Sequence, residues 1–144
     1  MMKKFLMLLA GVWMLAAALP TSADNRRKIE FDNLPAAAQQ FVKANFAGER
    51  MTHVWVEGRV LDRDYGVVFT DGSRVEFDKN GQWEEIDTKY GKIPATVLPQ
   101  GIRSYLRQNY PNMPMKRVER DRKGYEIELG NGVELDFDKN GRLL

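Results

Sequence analysis

Acidic residues alternate along two stretches of the chain at a spacing that suits a hard cation. Asp136-x-Asp138-x-Asn140-Gly141 matches the first half of a calcium-binding loop, where oxygen ligands stand at alternate positions ahead of a glycine. Glu76-x-Asp78-x-Asn80-Gly81 repeats the pattern, with Asp87 at its twelfth position. The same residues also suit a hairpin. Asn tolerates the left-handed conformation and Gly closes the turn, while Phe77 and Phe137 sit between the acids as strand residues do. The flanks favour the hairpin, so no metal ligands are assigned and no cofactor is expected.

Covalent chemistry has less to work with. His53 is the only histidine and there is no cysteine. A hydrolytic nucleophile needs a base beside it, and zinc sites built on several His or Cys ligands are impossible. Many acids are present, but nothing singles out a pair for glycoside hydrolysis. The chain is not expected to be an enzyme. Recognition is the better prospect. Trp55 lies between Val54 and Val56, so one side of that alternation faces outward, and Trp83 is followed by two glutamates. An exposed Trp among charges suits a protein-binding anchor, and Trp55 and Trp83 are the candidate partner-binding residues. The competing reading places both in the core or in a seam between repeats.

The elements that would position these residues occur twice. Leu34-Pro35 recurs as Leu98-Pro99, Asn45-Phe46 as Asn109-Tyr110, and Phe77-Asp78-Lys79-Asn80-Gly81 as Phe137-Asp138-Lys139-Asn140-Gly141. The first copy carries four extra residues in the region 57–64. In the second copy Glu119 and Leu143 stand where the first has its tryptophans, whereas Tyr65 and Tyr125 correspond. Each copy opens with a helix. Pro35 and Pro99 suit its first turn, Asp32, Asn33 and Thr96 are possible caps, and Gly48 and Pro111 are stops. Leu34, Ala38, Phe41, Val42 and Asn45 share one face, as do Leu98, Ile102, Tyr105, Leu106 and Asn109. Strands follow. Tyr125, Ile127 and Leu129 alternate with Glu126 and Glu128, and Asp71-Gly72 and Asn131-Gly132 read as type I′ turns. The fold class is therefore α+β: two repeats, about 30–88 and 96–144, of a helix plus three or four antiparallel strands, with helices packed on one face of the sheet.

The N-terminus directs export. Lys3 and Lys4 precede the uncharged 15-residue run Phe5–Leu19, and Pro20-Thr21-Ser22-Ala23 supplies small residues before Asp24. This is the order of a cleavable signal peptide over residues 1–23. The run is shorter than the roughly 20 residues that span a bilayer, so no membrane span is expected after cleavage. The whole chain has 22 Lys+Arg against 20 Asp+Glu. Both surplus lysines lie in the signal, which leaves residues 24–144 balanced and removes support for a nucleic-acid partner. Arg117, Arg120, Arg122 and Lys123 cluster, but Glu119 and Asp121 interrupt them.

The Leu-Pro helix starts, the aromatic-Val/Leu-x-x-Asn helix ends, the Tyr-containing strands, the Asp/Asn-Gly turns and Phe-Asp-x-x-Gly together resemble the PepSY-like domains of exported bacterial proteins. They resemble in particular the tandem-repeat periplasmic group whose fold is like that of β-lactamase inhibitor protein. The resemblance covers about residues 30–144. It implies helices on one face of an antiparallel sheet, a periplasmic or secreted location in a Gram-negative bacterium, and no catalytic residues. It also implies a protein partner, an envelope peptidase being the kind suggested by relatives. The chain departs from the pattern at its C-terminus, where the last strand is short. The expected function is that of an exported, non-catalytic binding protein, a peptidase-inhibitor-like or protein-interaction module. The alternative is a small-ligand or calcium-binding periplasmic protein.

Overall fold

Apolar residues at every second strand position force one sheet face against the helices and leave the other to charged side chains. The computed structural model describes residues 25–91 and 93–144, and the export signal read over 1–23 lies outside the described residues. Its elements are β1 (Arg27–Ile29), α1 (Ala36–Asn45), β2 (Met51–Arg59), β3 (Asp62–Phe69), β4 (Arg74–Phe77), β5 (Trp83–Asp87), α2 (Gln100–Asn109), β6 (Met115–Arg120), β7 (Gly124–Leu129) and β8 (Glu134–Asp138). All eight strands form one antiparallel sheet in the order β1 to β8. The two repeats thus share a single sheet, joined where β5 pairs with β6 through Ile86 opposite Val118.

The eighth strand comes from the N-terminal side, not from a second long C-terminal strand. β1 lies against β2 with Ile29 opposite Val54, as β5 lies against β6. At the other edge, residues 142–144 make only a bridge from Leu143 to Phe137. β5 plays both parts: Trp83 pairs with Phe77 to close the first copy, and Ile86 opens the second.

The core sits between the helices and the inner sheet face. Ala38 and Val42 of α1 and Ile102 of α2 are buried with Val67, Phe69, Val75, Phe77, Ile86, Val118, Ile127 and Phe137. Aromatic contacts repeat with the sequence: Phe41 meets Phe77 edge-on at 5.8 Å and Tyr105 meets Phe137 at 5.4 Å.

Two local expectations are corrected. Asp32, Asn33 and Thr96 do not cap the helices. They lie in 3-10 turns, and Pro35 and Pro99 occupy the cap positions without a side-chain bond. Gln39 instead donates to the carbonyls of Leu34 and Asp32. The Asp71-Gly72 and Asn131-Gly132 turns are not type I′. Only the glycines are left-handed, at φ 89° and 90°, and Gly72 N–H bonds the Phe69 carbonyl at 3.0 Å. A type I turn followed by a left-handed glycine, the usual three-residue hairpin loop, fits these facts.

Candidate functional site: the outer face of the sheet

Both helices lie against the inner face, so no helix among the described residues covers the outer face. Its side chains are the partners of the buried ones. Between Val75, Ile86, Val118, Ile127 and Leu135 of the core stand Glu76, Glu85, Glu119, Glu126 and Asp136. Cross-strand pairing places these five in one line: Glu76 opposite Glu85, Glu85 opposite Glu119, Glu119 opposite Glu126, and Glu126 opposite Asp136. Like charges directly opposite one another destabilise a sheet. The adjacent line supplies partial relief, with Arg74 opposite Asp87 and Asp87 opposite Arg117. Arg117 Nε donates to Glu85 Oε2 at 2.7 Å and its Nη2 to Glu119 Oε1 at 3.0 Å. Arg74 Nη2 lies 3.2 Å from Asp87 and 3.6 Å from Glu85.

The remaining imbalance shows in proton affinity. Glu119 is pushed up to about 8, first by burial and then by the charges of Glu85, Glu126 and Asp121, against the pull of Arg117. Glu126 is pushed up to about 7 by burial and by Asp136, again opposed by Arg117. Glu76 is raised by burial and by Glu85. Groups with shifted proton affinity cluster at functional sites. Here they lie side by side across the strands of the sheet.

Trp55 belongs to this face and Trp83 does not. The line of acids continues through Gly66, opposite Glu76, to Trp55, opposite Gly66. Gly66 leaves a hole that the indole fills: a Cβ there would overlap the Trp55 ring. The Arg26 guanidinium covers the ring at 3.9 Å and is itself held by Glu57 at 3.1 Å. Trp55 is consequently 3 % exposed. Trp83 is on the inner face at the seam between copies, between Phe41 of α1 and Tyr125 of β7, under Arg120. It is 5 % exposed. The exposed reading of the two rings is corrected by their burial, and for Trp83 the competing reading, a place in the seam between repeats, holds. A register shift between Glu76 and Phe77 turns Trp83 inward.

The Asp-Lys-Asn-Gly segments form turns. Asp78 Oδ1 accepts the backbone N–H groups of Asn80 and Gln82, and Asp138 Oδ1 those of Asn140 and Arg142, all at 2.9 Å. These bonds hold the Asp138 carboxyl below its ordinary range. Gly81 is left-handed at φ 84° and sits so close to Pro35 and Ala38 that a Cβ would collide with the start of α1. Among the described residues no group of three or more His, Asp or Glu is arranged to hold a metal ion. The basic cluster is divided by the pleat: Arg117 faces the acids outside, while Arg120 donates to the Trp83 carbonyl at 2.7 Å.

The topology and the repeat can be set beside known proteins. A family model described as "Putative beta-lactamase-inhibitor-like, PepSY-like" matches residues 63–144. The chain belongs to this PepSY-like family. A Bacteroides thetaiotaomicron protein described as a "putative calcium-regulated periplasmic protein" is 39 % identical over 85 % of this chain and 97 % of its own, with a TM-score of 0.80. A periplasmic protein of Bacteroides vulgatus is 37 % identical over 85 % and 97 %, with a TM-score of 0.78. A second from that organism is 35 % identical over 83 % and 96 %, with a TM-score of 0.75. No curated protein matches the chain. This PepSY-like chain is a protein of the periplasmic or secreted compartment, the location these relatives' descriptions give. No helix among the described residues is long and apolar enough to cross a membrane.

Proposed function

We propose that this PepSY-like chain is a protein-interaction module that docks a cationic partner surface on the outer face of its sheet. The observation that carries the reading is the line Glu76–Glu85–Glu119–Glu126–Asp136, in which Glu76, Glu119 and Glu126 have raised proton affinities. The fold holds like charges together on a face that no helix among the described residues covers. A partner presenting Lys or Arg there relieves the repulsion, and complementary charge also speeds encounter. Trp55 adds an apolar anchor at the end of the line once Arg26 is drawn aside. Trp83, in the seam, contributes through stability. Inhibition of an envelope peptidase is one form such docking takes.

The test is affinity capture from the cell-envelope fraction. Wild-type protein and the Glu85→Lys/Glu126→Lys variant run in parallel, with folding of both checked by circular dichroism. A protein held by wild type, eluted by salt and lost by the folded variant supports the reading. Identical captured proteins for both contradict it.

A second reading, response to calcium, is favoured by the description of the 39 % identical relative. The Asp-Lys-Asn-Gly turns already use one carboxylate oxygen each, Oδ1 of Asp78 and of Asp138, to accept two backbone N–H groups. A rise in melting temperature with calcium but not magnesium would move this reading ahead.

A further inference from the structure

The two copies treat the start of their shared strand differently. In the second copy the chain leaving β5 stays beside β6 for one residue more. Thr88 donates its N–H to the Lys116 carbonyl at 2.8 Å and its hydroxyl to the same oxygen at 3.1 Å. Residues 89–91 then cross Pro114, with Gly91 packed on its ring. Thr88 is 1 % exposed, and Met115, whose carbonyl lies 3.5 Å from the Thr88 hydroxyl, is 6 % exposed.

In the first copy the corresponding chain makes no such detour. Glu30 leads straight into the turn Phe31–Asn33, whose Asn33 N–H bonds the Glu30 carbonyl at 3.0 Å. The space that residues 88–91 fill in the second copy is here a cleft of about 530 Å³. Ile29, Phe31 and Asn33 line one side, and Met51, Thr52 and His53 the other. Met51, the counterpart of Met115, is 42 % exposed.

We propose that this cleft binds an extended segment of a partner polypeptide, which adds beside Met51–His53 as Thr88–Gly91 lies beside Met115–Arg117. Strand addition draws its affinity from main-chain hydrogen bonds and its selectivity from alternate side chains. The second copy shows what the site takes. A threonine-type residue donates both its N–H and its hydroxyl to the carbonyl of Thr52, the counterpart of Lys116, and the segment covers the Met51 side chain. The site is separate from the acidic face, and its occupancy does not depend on docking there.

The chain supplies its own probe. The pentapeptide Asp-Thr-Lys-Tyr-Gly, the sequence of residues 87–91, is titrated into exported protein labelled with ¹³C at its Met methyl groups. Residues 24–144 contain Met51, Met113 and Met115 alone, so each reports separately. The expected result is a saturable shift of the Met51 methyl with Met113 and Met115 unmoved. Methylating the threonine nitrogen of the peptide should weaken binding roughly fivefold, through loss of one hydrogen bond. No shift at Met51 with millimolar peptide, equal shifts at all three methyls, or equal binding of the N-methylated peptide would each overturn the proposal. Because only the peptide is altered, a folding defect cannot imitate any of these outcomes.

Discussion

Gly66 and Trp55 act as one unit, because the ring occupies the space a side chain at 66 would need. Gly66→Ala should cost about 1–3 kcal/mol in chemical denaturation, the usual range for overpacking. The Trp55→Ala/Gly66→Ala double variant should lose less than the two single losses combined, since the clash is then absent. The glutamates make a prediction of opposite origin. Glu119 and Glu126 hold protons more tightly when folded, with affinities near 8 and 7 against 4.5 for an ordinary Glu. Their stabilising contribution is complete at low pH and is lost as pH rises through those values. Asp138 works the other way and loses its contribution only in stronger acid. The protein should therefore melt a few degrees higher near pH 5.5 than near pH 8.5, and Glu119→Gln should narrow that difference. A melting temperature that rises with pH would contradict the assignment. At this scale the sequence told part of the story. The alternation Val54-Trp55-Val56 required one side to face outward but left open whether that side was Trp55. Its burial depends on Gly66 across the strand pair and on Arg26, just ahead of β1, which only the three-dimensional structure reveals. The acid line was invisible for the same reason, because its members come from five strands.

The repeated elements give a built-in comparison. The four extra residues of the first copy lengthen the β2–β3 hairpin, whose ladder runs to Arg59 opposite Asp62, beyond the Arg120–Tyr125 pair that ends its counterpart. Its tip exposes Val60 at 75 % and Leu61 at 85 %. Val60→Ser/Leu61→Ser should change stability by no more than about 0.5 kcal/mol in denaturant titration, as exposed substitutions do. Phe137→Ala, by contrast, removes a fully buried ring packed on Tyr105 and should cost about 3–5 kcal/mol. Helices and central strands were legible because their apolar spacing is regular. β1 was not, because Arg27-Lys28-Ile29 is too short to show a period and two of its three residues are charged. Bulges hid the rest. Trp83 and Ile86 share the inner face three residues apart, which simple alternation forbids and the register shift in the β4–β5 pair allows.

One sheet and one core join the copies, with Trp83 in contact with Phe41 of the first and Tyr125 of the second. The whole chain should unfold in a single transition, with fluorescence and far-ultraviolet circular dichroism tracing the same denaturant curve. Two separate transitions would mean that the repeats are independent. The duplication itself, and the helix-covered sheet it builds, followed from sequence because five identical residues recur within a longer matching pattern. The outer face with Glu76, Glu126 and Asp136 followed from the strand alternation, but the line across it did not, because it is a product of the joint: Glu76 and Glu85 come from the first copy and Glu119, Glu126 and Asp136 from the second, so neither repeat alone displays it. The central claim is that a partner covers this line. Carbodiimide labelling of carboxylates, read by mass spectrometry with and without a captured envelope partner, tests it most directly. Protection of Glu76, Glu85, Glu119, Glu126 and Asp136, with Glu30, Glu49 and Asp62 still labelled, is the predicted result. Labelling of the five that does not change when the partner binds would contradict the account.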